Sequence, residues 1–220
     1  MADVPFPRTV KFAGFQPVFS GQIRGRQEAL SGAESIIPSF SGRWTASAPI
    51  MLVYENARTE WRGFMAQMEG GIGVSHVPIM QQHRPRLADG RVPEQYSSPA
   101  FAAFEHWSFV SDPVARVTLA ADAAVRATDL QISLVDCLGL RPGHYLSIAS
   151  RLYQVQLSWA DGASNYIRVR PPLREAAVTG AALELDNPIC QMRLSSEDTG
   201  NPSEGLTDVD RVEVAFREAI

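Results

Sequence analysis

The stretch that decides the fold runs from residue 43 to residue 71 and reads RWTASAPIMLVYENARTEWRGFMAQMEGG. In its first eleven residues every second position is apolar, which is the period of a β-strand with one buried face. The positions on that face are Trp44, Ala46, Ala48, Ile50 and Leu52. The sequence therefore predicts a strand over 43–53 whose apolar face covers a core.

The second part of the same stretch predicts an α-helix over 56–69. Asn56 is the expected N-cap, and Gly70 with Gly71 marks the C-terminal end. Because glycine in the middle of a helix lowers its stability relative to alanine, Gly63 indicates close packing at that position. Apolar residues recur at helical spacing and form one stripe. We expect the core of the helix–sheet packing to consist of Trp44, Trp61, Phe64, Met65 and Met68.

Outward from this stretch, the rest of the chain is predicted to be rich in strands. Residues 1–42 indicate short strands and turns, or an extended arm. Residues 114–187 contain short alternating strands separated by turns, typical of a small barrel or sandwich. Strand patterns return near the C-terminus. The predicted fold class is mainly β (α+β): an outer β-sandwich-like domain with one packed helix, built from 1–113 and 188–220, into which a small β-barrel module of 114–187 is inserted.

Residues 81–113 interrupt this regularity. They form a long connection with arginines and four large aromatic residues, and such a connection is uncommon in a compact domain unless it has a function. Either its aromatic side chains pack on their own domain, or the segment docks on a neighbouring subunit. A nucleic-acid groove is less favoured, because Asp89 and Glu94 dilute the basic charge. The predicted subunit or partner interface consists of Arg84, Arg86, Phe101, Phe104, Trp107 and Phe109.

Composition and motifs argue against several function classes. The 220 residues carry a formal net charge of −4, so the chain has no bulk basic field and no nucleic-acid specificity is expected. No apolar run is long enough to span a membrane, and the N-terminus has no secretory signal. Cys137 and Cys190 are interpreted as core residues of a reducing compartment. The known catalytic and metal-binding motifs are absent, so we expect a protein that is not an enzyme and uses no metal or cofactor.

The order of several motifs resembles the distal tail and minor tail proteins of long-tailed bacteriophages and of phage-like gene transfer agents. The motifs are Ser41–Trp44 (SGRW), Trp61-x-x-Phe64, Glu69–Gly73 (EGGIG), Leu140–Ile148 (LRPGHYLSI), Arg151–Val155 (RLYQV), Ile167–Arg174 (IRVRPPLR), Gly180–Leu183 (GAAL), Asn187–Pro188 and Met192–Ser196 (MRLSS). Together with a final strand they cover most of the chain from 41 to 218. The segment 81–113 is longer than in many relatives.

The resemblance implies a structural virion protein of the tail tip that is assembled in the host cytoplasm. Its copies would form a ring, with six-fold symmetry expected, between the tail tube protein and the tail hub or baseplate protein. The tape-measure protein is a further candidate partner. Two alternatives stay open: a carbohydrate-binding β-module for host recognition, with Trp159 and Tyr153 as candidate sugar-binding residues, and a cell-wall hydrolase, which no motif supports.

Overall fold

A computed structural model describes residues 3–12, 14–28, 34–38, 41–81, 83–90, 115–202 and 209–220. Within these ranges the protein is mainly β with one α-helix, so the predicted β-rich α+β class is confirmed. The strands are β1 (Asp3–Val4), β2 (Lys11–Phe12), β3 (Gln16–Ser20), β4 (Ile23–Glu28), β5 (Glu34–Pro38), β6 (Arg43–Val53), β7 (Val74–Pro78), β8 (Val117–Leu119), β9 (Asp129–Leu134), β10 (Tyr145–Ile148), β11 (Arg151–Asp161), β12 (Ser164–Arg170), β13 (Ala182–Leu183), β14 (Ile189–Leu194) and β15 (Val209–Glu218). The helix α1 spans Tyr54–Met68, and a 3-10 turn follows over Glu69–Gly71.

The first sheet is organised around β6. Its strand order in the described residues is β1-β7-β14-β15-β6-β2, and β3 pairs with β6 on the same side as β2. β15 is antiparallel to β6 from Val53 to Thr45, whereas β1 is parallel to β7. On the other side of β6, Ala48 and Pro49 lie between the residues that pair with β2 and those that pair with β3. Neither of them pairs with a residue of these two strands. A proline fits this position because it has no N–H to donate to a neighbouring strand.

Helix α1 follows β6 without a loop and covers one face of this sheet. Trp61, Phe64 and Met68 are buried in the same apolar cluster as Trp44, and Met65 packs against that cluster. Burying aromatic and aliphatic side chains of this size is the main favourable contribution to folding here. The Trp61 indole N–H also donates to the carbonyl of Gly200 (2.8 Å), so its polar atom is satisfied inside the core.

The helix ends differ in part from the prediction. The helix begins at Tyr54, and its N-cap is Val53 with no side-chain hydrogen bond, so the prediction of Asn56 as the cap was wrong. At the other end Glu69 is left-handed, and Gly70 and Gly71 have φ of 65° and 106°, a region that favours glycine. The glycines therefore end the helix as the sequence predicted.

The second sheet lies between Val117 and Leu183 and has the order β10-β11-β12-β9-β8-β13. Its two ends meet, because Ser147 of β10 and Glu184, just beyond β13, exchange backbone hydrogen bonds of 2.9 and 2.8 Å. The sheet is thereby nearly closed into a barrel around its own apolar core, which includes Leu130, Leu146 and Ile167. We call residues 115–186 the barrel module.

A buried ion pair joins the barrel module to the first sheet. Nε and Nη2 of Arg174 lie 3.2 and 3.1 Å from the two carboxylate oxygens of Glu218 in β15. The Glu218 carboxylate also accepts the backbone N–H of Trp44 (3.0 Å), and the Arg174 guanidinium donates to the carbonyl of Gly42. The Glu218 side chain is 1% exposed, so both of its oxygens depend on these donors in place of water.

Backbone and aromatic contacts extend this joint. The Trp44 indole N–H donates to the carbonyl of Leu152 (2.8 Å), and the Leu152 side chain belongs to the core of the first sheet although its strand is in the barrel module. The next residue, Tyr153, accepts the backbone N–H of Arg174 on its hydroxyl oxygen (3.1 Å), and burial raises the pKa of Tyr153 to about 12. Leu152 thus joins β11 to the first sheet, and the Tyr153 hydroxyl positions Arg174 within the barrel module.

Replacing Glu218 with alanine tests this joint. The substitution removes the partner of the Arg174 guanidinium and leaves the Trp44 N–H without an acceptor, so we expect a loss of about 3–5 kcal/mol in unfolding free energy, measured by urea denaturation. The matched control is Asp129→Ala, because the Asp129–Arg168 pair is 43% and 47% exposed and should contribute less than about 1 kcal/mol. Equal losses in the two variants would contradict the role of the joint.

Gly63 behaves differently from the expectation of close packing. A Cβ at this position would meet no atom within 4 Å, so the glycine lies on an open helix surface. We therefore expect Gly63→Ala to raise the unfolding free energy by about 0.5–1 kcal/mol. The control is Gly73→Ala, whose Cβ would lie 2.9 Å from the backbone of Gln67 and Met68 and should destabilise the protein. Chemical denaturation of both variants checks the opposite signs, and a destabilised Gly63→Ala protein would refute the assignment.

Candidate functional site

The described part of the predicted interface segment contacts the barrel module of its own chain. Leu87 is buried in the core of that module and forms an isolated β-bridge with Cys137. The backbone N–H of Leu138 donates to the carbonyl of Arg86 (2.9 Å). Arg86 and Leu87 therefore contact the barrel module, although the predicted domain bounds place them in the outer domain.

Arg84 and Arg86 have different surroundings. The buried Arg84 guanidinium lies 2.8 Å from Asp186, at the end of the barrel module. Burial raises the pKa of the Asp186 carboxyl, and the positive charge of Arg84 opposes this shift. Arg86 is exposed and donates to the carbonyl of Gly90 (3.1 Å). Arg84 is thus engaged inside the chain, while Arg86 stays on the surface.

The four aromatic residues of the predicted interface lie outside the described residues. They are Phe101, Phe104, Trp107 and Phe109. Their assignment to a subunit contact stays a prediction.

A hairpin near the N-terminus exposes apolar side chains on both of its faces. Its strands β4 and β5 pair with each other and with no other described strand. Ile36 and Ile37 are consecutive in β5 and so point to opposite faces, and they are 52% and 47% exposed. Ile23 at the start of β4 is 56% exposed. We call these two strands, residues 23–28 and 34–38, the β4–β5 ribbon.

The base of the ribbon is fixed to the barrel module. Arg170 donates from Nη1 to the side-chain oxygen of Gln22 (3.3 Å), and its guanidinium lies 5.8 Å from the centroid of the Phe19 ring. A two-stranded hairpin is marginally stable without further packing, and isoleucines on both faces gain stability when another surface covers them. The ribbon is therefore the best candidate among the described residues for a protein–protein contact. This surface was not among the predicted interface residues, although the adjacent Ile36 and Ile37 were its local signal.

A cleft of about 810 Å³ opens at the end of the barrel module. One wall comes from Met80, Gln81, His83, Arg84 and Arg86. A second wall comes from residues 138–145, and the floor is formed by β9, β11 and β12. The basic residues of its lining are His83, Arg84, Arg86, Arg141 and His144. The described lining contains no aspartate and no glutamate. The cleft is therefore electropositive, although the chain as a whole is acidic.

His144 has an ordered environment in this cleft. The backbone N–H of Arg141 donates to its Nδ1 (3.1 Å), which leaves Nε2–H as the donor of the neutral ring. Burial lowers the pKa of His144, and the positive charges of Arg141 and His83 lower it further. Burial is the largest cause of this shift, and the neighbouring positive charges act in the same direction.

The two residues suggested for sugar stacking have different surroundings. Tyr153 is buried in the module, with its hydroxyl bonded to the Arg174 backbone. Trp159 stacks on Tyr166 with ring centroids 5.5 Å apart, and the Arg168 guanidinium lies 5.9 Å from the Trp159 ring. These contacts of the Trp159 ring are typical of cross-strand stabilisation, and Trp159 also lines the cleft described above.

Other functional groups remain separate in the described ranges. No three His, Cys, Asp or Glu side chains converge there to hold a metal ion. Cys137 and Cys190 are free and buried, and burial raises the pKa of both thiols. No helix in the described part of the chain is long and apolar enough to cross a membrane.

A scan against models of protein families finds no match, and a search of curated proteins finds none either.

Proposed function

We propose that the chain is a structural, non-enzymatic subunit of a phage tail tip. Its copies assemble in the host cytoplasm into a six-fold ring of the virion, which joins the tail tube protein to the hub or baseplate protein. The tape-measure protein is a further partner in this proposal. The first sheet with α1 closes the ring, and the barrel module lies outside it.

The positions of the motifs that resemble tail proteins support this proposal. Trp44, Trp61 and Phe64 meet in the core of the first sheet. The motifs at 140–148 and 151–155 build the β10–β11 pair, and the motif at 167–174 ends on Arg174 of the joint. The motif residues thus occupy positions that determine the architecture, as expected if the resemblance is one of fold.

The exposed isoleucines of the β4–β5 ribbon are the observation that supports the proposal most strongly. A ring subunit must bury surface against neighbours on two sides, and the ribbon offers isoleucines on two faces. Interfaces of stable assemblies have an apolar centre, which Ile23, Ile36 and Ile37 would supply. The cell-wall hydrolase alternative has no comparable support among the described residues.

The ribbon assignment predicts that Ile36→Ser combined with Ile37→Ser prevents ring formation. Both side chains are about half exposed in the single chain, so their loss should remove binding energy while leaving the thermal unfolding midpoint of the monomer nearly unchanged. Light scattering coupled to size-exclusion chromatography measures the mass of the assembly. We expect six copies for the unmodified chain and one for the double variant.

The matched control replaces two exposed valines of the barrel module, Val125 and Val178, with serine. This control removes similar apolar surface and should assemble like the unmodified chain. The assignment is refuted if the ribbon variant still assembles, or if the unmodified chain remains monomeric throughout a dilution series.

A further inference from the structure

The cleft at the end of the barrel module has unbalanced positive charge. Of its three arginines, Arg84 is neutralised by Asp186 at 2.8 Å. Arg86 contacts the neutral carbonyl of Gly90, and Arg141 is exposed and forms no ion pair with a described carboxylate. The cleft thus presents at least two uncompensated guanidinium groups, which bind phosphate and carboxylate oxygens in a bidentate manner.

Polar side chains interrupt the apolar floor of the same cleft. Asn165, Ile167 and Val169 alternate in β12 and face the inside of the barrel, where Ile167 and Val169 are buried. Asn165 pairs across the sheet with Ile132, and Ser158 of β11 pairs with Ile167. Neither Asn165 nor Ser158 forms a side-chain hydrogen bond with a described residue, and both line the cleft. An amide and a hydroxyl at such positions are suited to bind ligand hydroxyl groups.

The size and the remaining lining define the class of ligand. A volume of about 810 Å³ is within the range of small-molecule sites and accommodates a short oligosaccharide. Leu134 and Leu138 give the cleft an apolar surface for the C–H face of a sugar ring. A bare inorganic anion would leave this surface and the polar groups of Asn165 and Ser158 unused.

We propose that the cleft binds a saccharide that carries a phosphate or carboxylate group, with the anion held by Arg86, Arg141 and His144 and the sugar hydroxyls held by Asn165 and Ser158. The inference is separate from the ring proposal, because the cleft and the β4–β5 ribbon share no residue. The inference assigns recognition to the charged cleft, whose lining includes Trp159.

Isothermal titration of the full chain tests the proposal with four probes: digalacturonate, maltose 1-phosphate, maltose and inorganic phosphate. At least one of the two anionic sugars should bind more tightly than both maltose and phosphate. The two anionic probes distinguish a carboxylate site from a phosphate site. Binding that is no tighter than that of maltose or of phosphate overturns the proposal, and so does tighter binding of an oligoglutamate peptide.

Variants locate the binding in the cleft. Arg141→Gln should lower the affinity for the anionic sugar by about tenfold, as expected for the loss of one charged hydrogen-bonding group. Asn165→Leu should lower the affinity for the anionic sugar and leave the affinity for inorganic phosphate unchanged. The matched control is Arg116→Gln, an exposed arginine of the same module that does not line the cleft and changes the net charge equally. Equal effects of Arg141→Gln and Arg116→Gln would overturn the assignment.

Discussion

The carboxylate of Glu218 is the point on which the arrangement of the two sheets depends. It accepts hydrogen bonds from Arg174 of the barrel module and from the backbone of Trp44 in β6, inside a region that excludes water. A buried carboxylate of this kind is unfavourable unless every donor is in place, so the joint permits few alternative orientations. The barrel module is therefore an insertion in sequence and a fixed part of the protein in structure. A fragment limited to 114–187 would expose Leu152, which completes the core of the other sheet.

This joint fixes the β4–β5 ribbon and the charged cleft relative to the core of the first sheet. Arg170, at the end of β12, anchors the base of the β4–β5 ribbon through Gln22. The opposite end of β12 contributes Asn165 to the charged cleft. One strand of the module thus supports both the proposed subunit contact and the proposed ligand site. In a ring, such rigidity would present each cleft in the same orientation to the outside.

The sequence predicted the features that have a local period. The strand 43–53 and the stripe of Trp61, Phe64 and Met68 follow from spacing alone, and the structure buries them together. The predicted start of the helix was wrong, because the chain passes directly from β6 into α1 and no side chain caps the helix. The joint of Arg174 with Glu218 and the assembly of the cleft bring together distant segments, for which no local pattern exists. The ribbon had a local signal in the adjacent Ile36 and Ile37. The exposure of both of its faces could not be predicted from the alternation of apolar residues.

Electron microscopy of the purified full chain tests the central claim most directly, namely that the β4–β5 ribbon is a contact between subunits. The account predicts closed rings with six-fold symmetry in which Ile36 and Ile37 of each copy lie against the next copy, with the barrel modules on the outer side. Single particles of one chain with the ribbon facing solvent would contradict the account. Rings whose subunits meet through other surfaces, with the ribbon uncovered, would contradict it as well.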